Sequence, residues 1–238
     1  MAAPMEEGSR DPLPVVLVVL TVATGLVDAI SVLGLGRVFT ANMTGNVVFF
    51  GFAVGGARGF EAPRYIVALA AFLAGAALGG VLGNTLSGST RRRWLLTAAV
   101  VEFALLGVAA VVAIGYDIES LAPTAKLYAL IILTALAMGL RNATVRQLRV
   151  PDLTTTVLTL TLTGLAADSS IAGGGNLHWG RRLAAVLSIL VGAIIGTVLV
   201  ITTGLSLPLL VTGLCVLIAT AAYALHPASR IVAGKGDR

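Results

Sequence analysis

The chain has 238 residues, 57% of them hydrophobic and 11% charged, with a formal net charge of +5 and a mean hydropathy of +0.97. So few charges cannot cover a soluble domain of this length, and the apolar residues recur in runs of about twenty, the length that crosses a bilayer core. Composition thus excludes a soluble fold, and the basic residues, clustered between apolar runs, read as topology signals rather than as a nucleic-acid footprint.

Residues 1–13 form a polar tail of mixed charge. The run 14–35 is too long for a signal-peptide core and is read as the first retained span. Pro14 suits a first helical turn, and Gly34 and Gly36 mark the end. Asp28 lies about two-thirds of the way along this run. A carboxylate at that depth costs on the order of 3 kcal/mol unless paired or wetted. Two readings of it stand: a proton-titrating or cation-contacting group facing a cavity, or a structural hydrogen bond to the segment Thr44-Gly45-Asn46.

The next segment, 40–55, reads TANMTGNVVFFGFAVG and is short and polar. On a helix, Thr40 and Thr44 share a face, as do Asn42 and Asn46, and Gly45 permits close backbone approach or a local break. The runs 64–86 and 93–115 follow as full spans. Gly75 and Gly79 give the first a close-packing stripe. Glu102, in VVEFALLG, has no cation near it in sequence, so it faces the bundle either as a proton-coupling site or as the partner of an arginine from another helix.

A fourth span covers 123–141, with Arg141, Arg146 and Arg149 at its end as orientation signals, of which Arg146 and Arg149 could also draw an anion. The second short segment, 154–170, reads TTTVLTLTLTGLAADSS. Thr155, Thr159 and Thr163 share a helical face there, a polar path unless each bonds its own i−4 carbonyl. Asp152 and Asp168 are read as surface partners of nearby arginines. Spans 182–204, with Gly192 and Gly196, and 206–226, with Cys215 as a plain core residue, complete the set, and 227–238 is a basic tail. The small-residue stripes leave open a contact between copies of the chain.

The short segments either cross, giving eight crossings, or dip in and return, giving six. With six crossings and cytoplasmic termini, twelve Lys and Arg fall inside and four outside; with eight the split is nine to seven. The stronger bias favours six crossings. The two halves, about 14–115 and 123–226, also echo each other. Gly25-Leu26-Val27-Asp28-Ala29 matches Gly139-Leu140-Arg141-Asn142-Ala143, each is followed by a short polar segment, and Gly75 and Gly79 match Gly192 and Gly196. Three crossings per half would make the repeat inverted, a plan in which broken helices meet at the midplane around a site.

The stretches GLVDAISVLGLGRVFTANMTGNVVFFG and AMGLRNATVRQLRVPDLTTTVLTLTLTGLAAD resemble the two signature regions of the YoaK-type family. The first carries Asp28, Phe39, Met43, Thr44, Gly45 and Asn46; the second carries Gly139, Asn142, Ala143, Arg146, Thr155, Thr156 and Thr159. The resemblance implies a small multi-pass protein of the bacterial inner membrane and leaves the substrate unspecified.

The sequence lacks H-E-x-x-H, a P-loop and a dinucleotide fingerprint, and neither His178 nor His226 lies inside a span, so no enzyme, metal site or cofactor is expected. The expected fold is an all-α polytopic bundle of six long spans and two short Thr-rich half-helices in two pseudo-symmetric halves. The expected function is secondary transport or facilitated passage of a small solute, with lipid as the surrounding partner. The expected site comprises Asp28, Asn42, Thr44, Gly45, Asn46, Asn142, Thr155 and Thr159, with Asp28 and Glu102 as proton-coupling candidates. The alternative is a membrane scaffold or accessory subunit in which these polar groups only hold helices together.

Overall fold

The structure, a computed structural model, describes residues 12–148, 158–176 and 179–231. Among them are eight α-helices: α1 (Leu13–Gly34), α2 (Met43–Val54), α3 (Ala62–Thr85), α4 (Arg91–Val112), α5 (Thr124–Leu148), α6 (Leu158–Ala167), α7 (Trp179–Thr203) and α8 (Ser206–Leu225). Six of them, α1, α3, α4, α5, α7 and α8, are long and apolar enough to cross a membrane. The protein is thus an all-helical membrane protein. Most boundaries lie within a few residues of the apolar runs. The exception is α5, which continues seven residues past 141 because Thr144 and Val145 are buried and carry its inner face onward.

Two apolar clusters fix the helix directions. One contains Ile30 and Leu35 from the end of α1, Tyr65 from the start of α3, Leu106 to Ala110 of α4, Leu127 of α5, Val200 of α7 and Leu209 of α8. The other contains Leu13 and Leu17 from the start of α1, Leu95 of α4, Val145 of α5, Ala185 of α7 and Tyr223 of α8. Helices α1, α4 and α7 therefore run one way, and α5 and α8 the other. Helix α3 joins the second set: it starts in the first cluster, and Gly83 near its end lies against Gln147 at the end of α5. The first half runs up-down-up and the second down-up-down, so the repeat is inverted.

Helix α2 does not cross. Its twelve residues rise about 18 Å, short of a core of about 30 Å. Its start lies at mid-depth, where Ala41 packs with Val27 and Met138. Its far end returns to the cluster where α1 ended: Phe49 meets Tyr65 with ring centroids 5.9 Å apart and tilted planes, and Phe52 meets Phe60 at 5.3 Å. Residues 35–42 thus carry the chain back into the bundle and α2 brings it out on the same side. Helix α6 has ten residues and ends beside the start of α7, where Arg182 pairs with Asp168 at 2.6 Å.

The two halves interlock through glycines. Helix α3 crosses α5 and α7 crosses α1, and the contacts repeat position for position. A Cβ on Gly75 would lie 2.8 Å from Leu136 C, and one on Gly192 would lie 2.9 Å from Val22 C. A Cβ on Gly139 would lie 2.8 Å from Ala76 N, and one on Gly25 would lie 2.9 Å from Ala193 N. Gly79 meets Leu140 and Ala143, and Gly196 meets Leu26 and Ala29. Lacking a hydrophobic drive between helices, a membrane bundle gains stability from such backbone approach.

Candidate functional site

Between the two apolar clusters lies a polar layer. Asp28 projects from α1, and its Oδ2 accepts a hydrogen bond from Asn42 Nδ2. Its Oδ1 is buried and has no hydrogen-bond partner. Asn42 occupies the last position before α2, where the re-entrant chain reverses. Asn142, on α5, donates through Nδ2 to Ala41 O at 3.5 Å, so the second half also holds the reversal. Beside these groups is an open cavity of about 210 Å³ walled by Ala41, Asn42, Met43, Thr44, Phe72 and Asn142.

Neighbouring polar residues build the turn instead. Asn46 is fully buried; its Oδ1 accepts from Phe39 N at 2.9 Å and its Nδ2 donates to Phe39 O at 2.5 Å. This pairing imitates a backbone ladder and fixes the inward run of chain. Gly45 lies under the Phe39 ring, whose Cδ2 would be 2.5 Å from an added Cβ. Asn42 and Asn46 do not share a helical face, and neither do Thr40 and Thr44, because the first of each pair precedes α2. Thr40 is buried with its Oγ1 unpartnered, whereas Thr44 is exposed on the cavity wall.

Arg141 does not mark a cytoplasmic helix end. It is 2% exposed, well inside α5, and its Nη2 pairs with Glu102 Oε1 from α4. Its Nη1 donates to Thr24 Oγ1 at 3.3 Å and Leu20 O at 3.4 Å, both on α1. Glu102 therefore meets an arginine from another helix. Arg141 also lies within electrostatic range of Asp28, so it stands between the two carboxylates and joins three helices. A cavity of about 30 Å³ adjoins the pair, room for a single water. Sequence reasoning missed this role because the hydropathy pattern ended the helix at the arginine itself.

In the second half, Thr159 is exposed, its carbonyl accepts from Thr163 Oγ1 at 2.9 Å, and it does not wall the cavity beside Asn42. Thr155, Thr156, Arg149 and Asp152 lie outside the described residues. Arg146 is exposed in the last turn of α5. Outside the spans, Tyr116 donates to Gly34 O at 3.0 Å, tying the loop after α4 to the end of α1. Burial pushes its phenol up to about 12, so it keeps this proton at ordinary pH. Among the described residues, His, Cys, Asp and Glu form no group of three that could hold a metal ion.

The profile of a family described as a protein of unknown function (DUF1275) matches residues 16–222, from the first long helix into the last. The chain is also 33% identical over 154 residues to the UPF0700 transmembrane protein YoaK of Bacillus subtilis (strain 168). That alignment covers 65% of this chain and 66% of the relative, a little under two thirds of its length. No solved structure matches. With the profile spanning both halves of the inverted repeat, both half-helices and the whole polar layer, the chain belongs to the DUF1275 family of membrane proteins.

Proposed function

We propose that the protein is a secondary transporter or facilitator of a small solute, seated in the bacterial inner membrane with both termini cytoplasmic. The observation that carries this reading is the polar cavity at the reversal of the re-entrant segment, with the half-bonded carboxylate of Asp28 directly behind its wall. A scaffold needs its buried polar groups paired with one another. Asn46 and the threonines that bond their i−4 carbonyls fit that description, but Asp28 and the cavity do not. Inverted halves meeting around a broken helix also suit alternating exposure of one site.

In this reading Asp28, Asn42, Thr44 and Asn142 form the site, Asn46 and Gly45 hold its shape, and Glu102 serves as counter-ion to Arg141. Proton coupling falls to Asp28. Moving Arg141 into the bundle leaves eleven basic residues on the cytoplasmic side against four, still a strong inside bias.

Cysteine labelling tests both site and orientation. In a background with Cys215→Ala, Thr44→Cys reacts with a water-soluble maleimide in intact membranes. Val48→Cys, one turn further along α2 and 46% exposed on its apolar surface, stays unlabelled. Equal inertness of the two would show that water does not reach the cavity and would end the transport reading. In the same background Arg58→Cys and Arg91→Cys label from opposite faces, and labelling from one face would refute the six-span topology.

A further inference from the structure

We propose that the pocket beside Arg141 and Glu102 binds one water molecule, held by Arg141 Nε, Glu102 Oε2 and Thr220 Oγ1, and that this water ties α8 into the charged layer. The pocket shares no wall residue with the cavity at Asn42, so the inference stands apart from the transport reading. The first observation is the arginine. Arg141 directs Nη2 at Glu102 and Nη1 at Thr24 and Leu20. Its Nε is buried and has no partner among the described residues, and its side chain lines the pocket. A buried N–H without an acceptor is costly, the more so on a charged group.

The second observation comes from another helix. The buried threonines Thr21, Thr24, Thr134, Thr144 and Thr212 each donate to the carbonyl four residues earlier. Thr220 on α8 is 4% exposed and makes no such bond to Val216 O. It lines the same pocket, and its hydroxyl can both donate and accept. Glu102, also in the wall, adds an acceptor, since its Oε1 is the atom that meets Arg141 and Oε2 remains.

Size and charge fix the ligand. The pocket measures about 30 Å³, and a water needs roughly 10–15 Å³ with two to four polar partners. A polar solute of several heavy atoms is too large. A bare cation would face Arg141 and a bare anion would face Glu102, each in low dielectric. Water accepts from Arg141 Nε while donating to Glu102 and Thr220, and such a bridge is nearly as favourable as a direct hydrogen bond. Its effect on the bundle is specific. The direct bonds of Arg141 join α1, α4 and α5. Helix α8 packs along α4 but carries no Asp, Glu, Lys or Arg, and the water gives it a share in the charged layer. The pocket walls run to Leu95 near the start of α4 and to Leu148 at the end of α5, the end from which water reaches the pair.

The test is a double-mutant cycle on the full-length protein in detergent, read as thermal unfolding midpoints. Thr220→Val keeps the shape of the side chain and removes its hydroxyl. In the native chain it lowers the midpoint by about 2–4 °C, the shift expected of one lost hydrogen bond in a chain of this size. With Arg141→Met and Glu102→Leu already in place, the water has lost its charged partners, and Thr220→Val causes no drop. Thr212→Val is the control: Thr212 bonds Pro208 O at 2.7 Å on the same helix, and its replacement has the same effect in both backgrounds. An equal drop for Thr220→Val in both backgrounds, or no drop in the native chain, overturns the proposal. A density map of the native protein at a resolution that shows ordered waters gives an independent reading. A peak within hydrogen-bond reach of Arg141 Nε and Thr220 Oγ1 supports the site. A map with ordered water elsewhere in the bundle and none here overturns it, and this reading alone decides should the double variant not fold.

Discussion

Exchanging Arg141 for methionine removes most of the folded protein, exchanging Glu102 for leucine does the same, and combining the two restores it. The reason is the location of the pair. Arg141 is 2% exposed and Glu102 is 3% exposed, and Arg141 reaches Thr24 and Leu20 with its other nitrogen. Removing either partner leaves one uncompensated charge in a site with room for about one water, at a cost of about 3–5 kcal/mol. A typical domain has about 5–15 kcal/mol in total, so each single variant loses a large part of its stability. The double variant fills the same volume with apolar atoms and leaves no charge behind, which is commonly neutral. Yield of monodisperse protein and the thermal midpoint in detergent report the outcome. A double variant as poor as either single one would show that packing of these side chains, not their charge, is what the bundle requires.

The charges do not follow the molecular pseudo-symmetry. Asp28 in α1 corresponds to Asn142 in α5, and Arg141 corresponds to Val27. The backbone repeats itself but the ionisable groups do not, so the inverted halves enclose one charged site rather than two. This asymmetry was partly legible in the sequence. A lone carboxylate in an apolar run flagged Asp28, and Glu102, with no local cation, called for an arginine from elsewhere. What hid the partner was the end of α5: hydropathy falls at Arg141-Asn142, where the helix in fact continues to Leu148 with its buried face unbroken. The repeat was visible because the order of span, short polar segment and Gly-x-x-x-Gly span recurs, and such an order survives drift in the apolar residues around it. The charge bias favoured a re-entrant path, but the place of its turn was not visible. The spacing of Asn42 and Asn46 reads as one helical face, and only the fold reveals that a turn separates them, with one amide on Asp28 and the other on the Phe39 backbone. Whether a short polar segment crosses or returns depends on contacts made far away in sequence, such as Phe49 against Tyr65.

Placing alanine at Gly75 destabilises the protein as much as placing it at Gly192, and Gly25 behaves like Gly139. At each of these four positions the added methyl group meets backbone atoms of the crossing helix, which cannot rotate out of the way. The helices must separate, and every contact along the crossing loosens with them. Overpacking of this kind costs about 1–3 kcal/mol for one methyl group, and leucine at the same positions costs more. Gly79 and Gly196 form the milder pair, since the nearest atoms to an added Cβ there include the methyl groups of Ala143 and Ala29 at 2.8 and 2.9 Å. Gly80 and Gly107 serve as controls, because an added Cβ at either meets nothing within 4 Å. Thermal midpoints of the four alanine variants should fall in matched pairs, with both controls close to the native value. A loss at Gly75 with none at Gly192 would mean that the α1–α7 crossing gives way easily while the α3–α5 crossing does not. That result would recast the matching geometry: one crossing would be the fixed frame and the other the element free to shift, and the half-helix α2, anchored on α3, would belong to the frame.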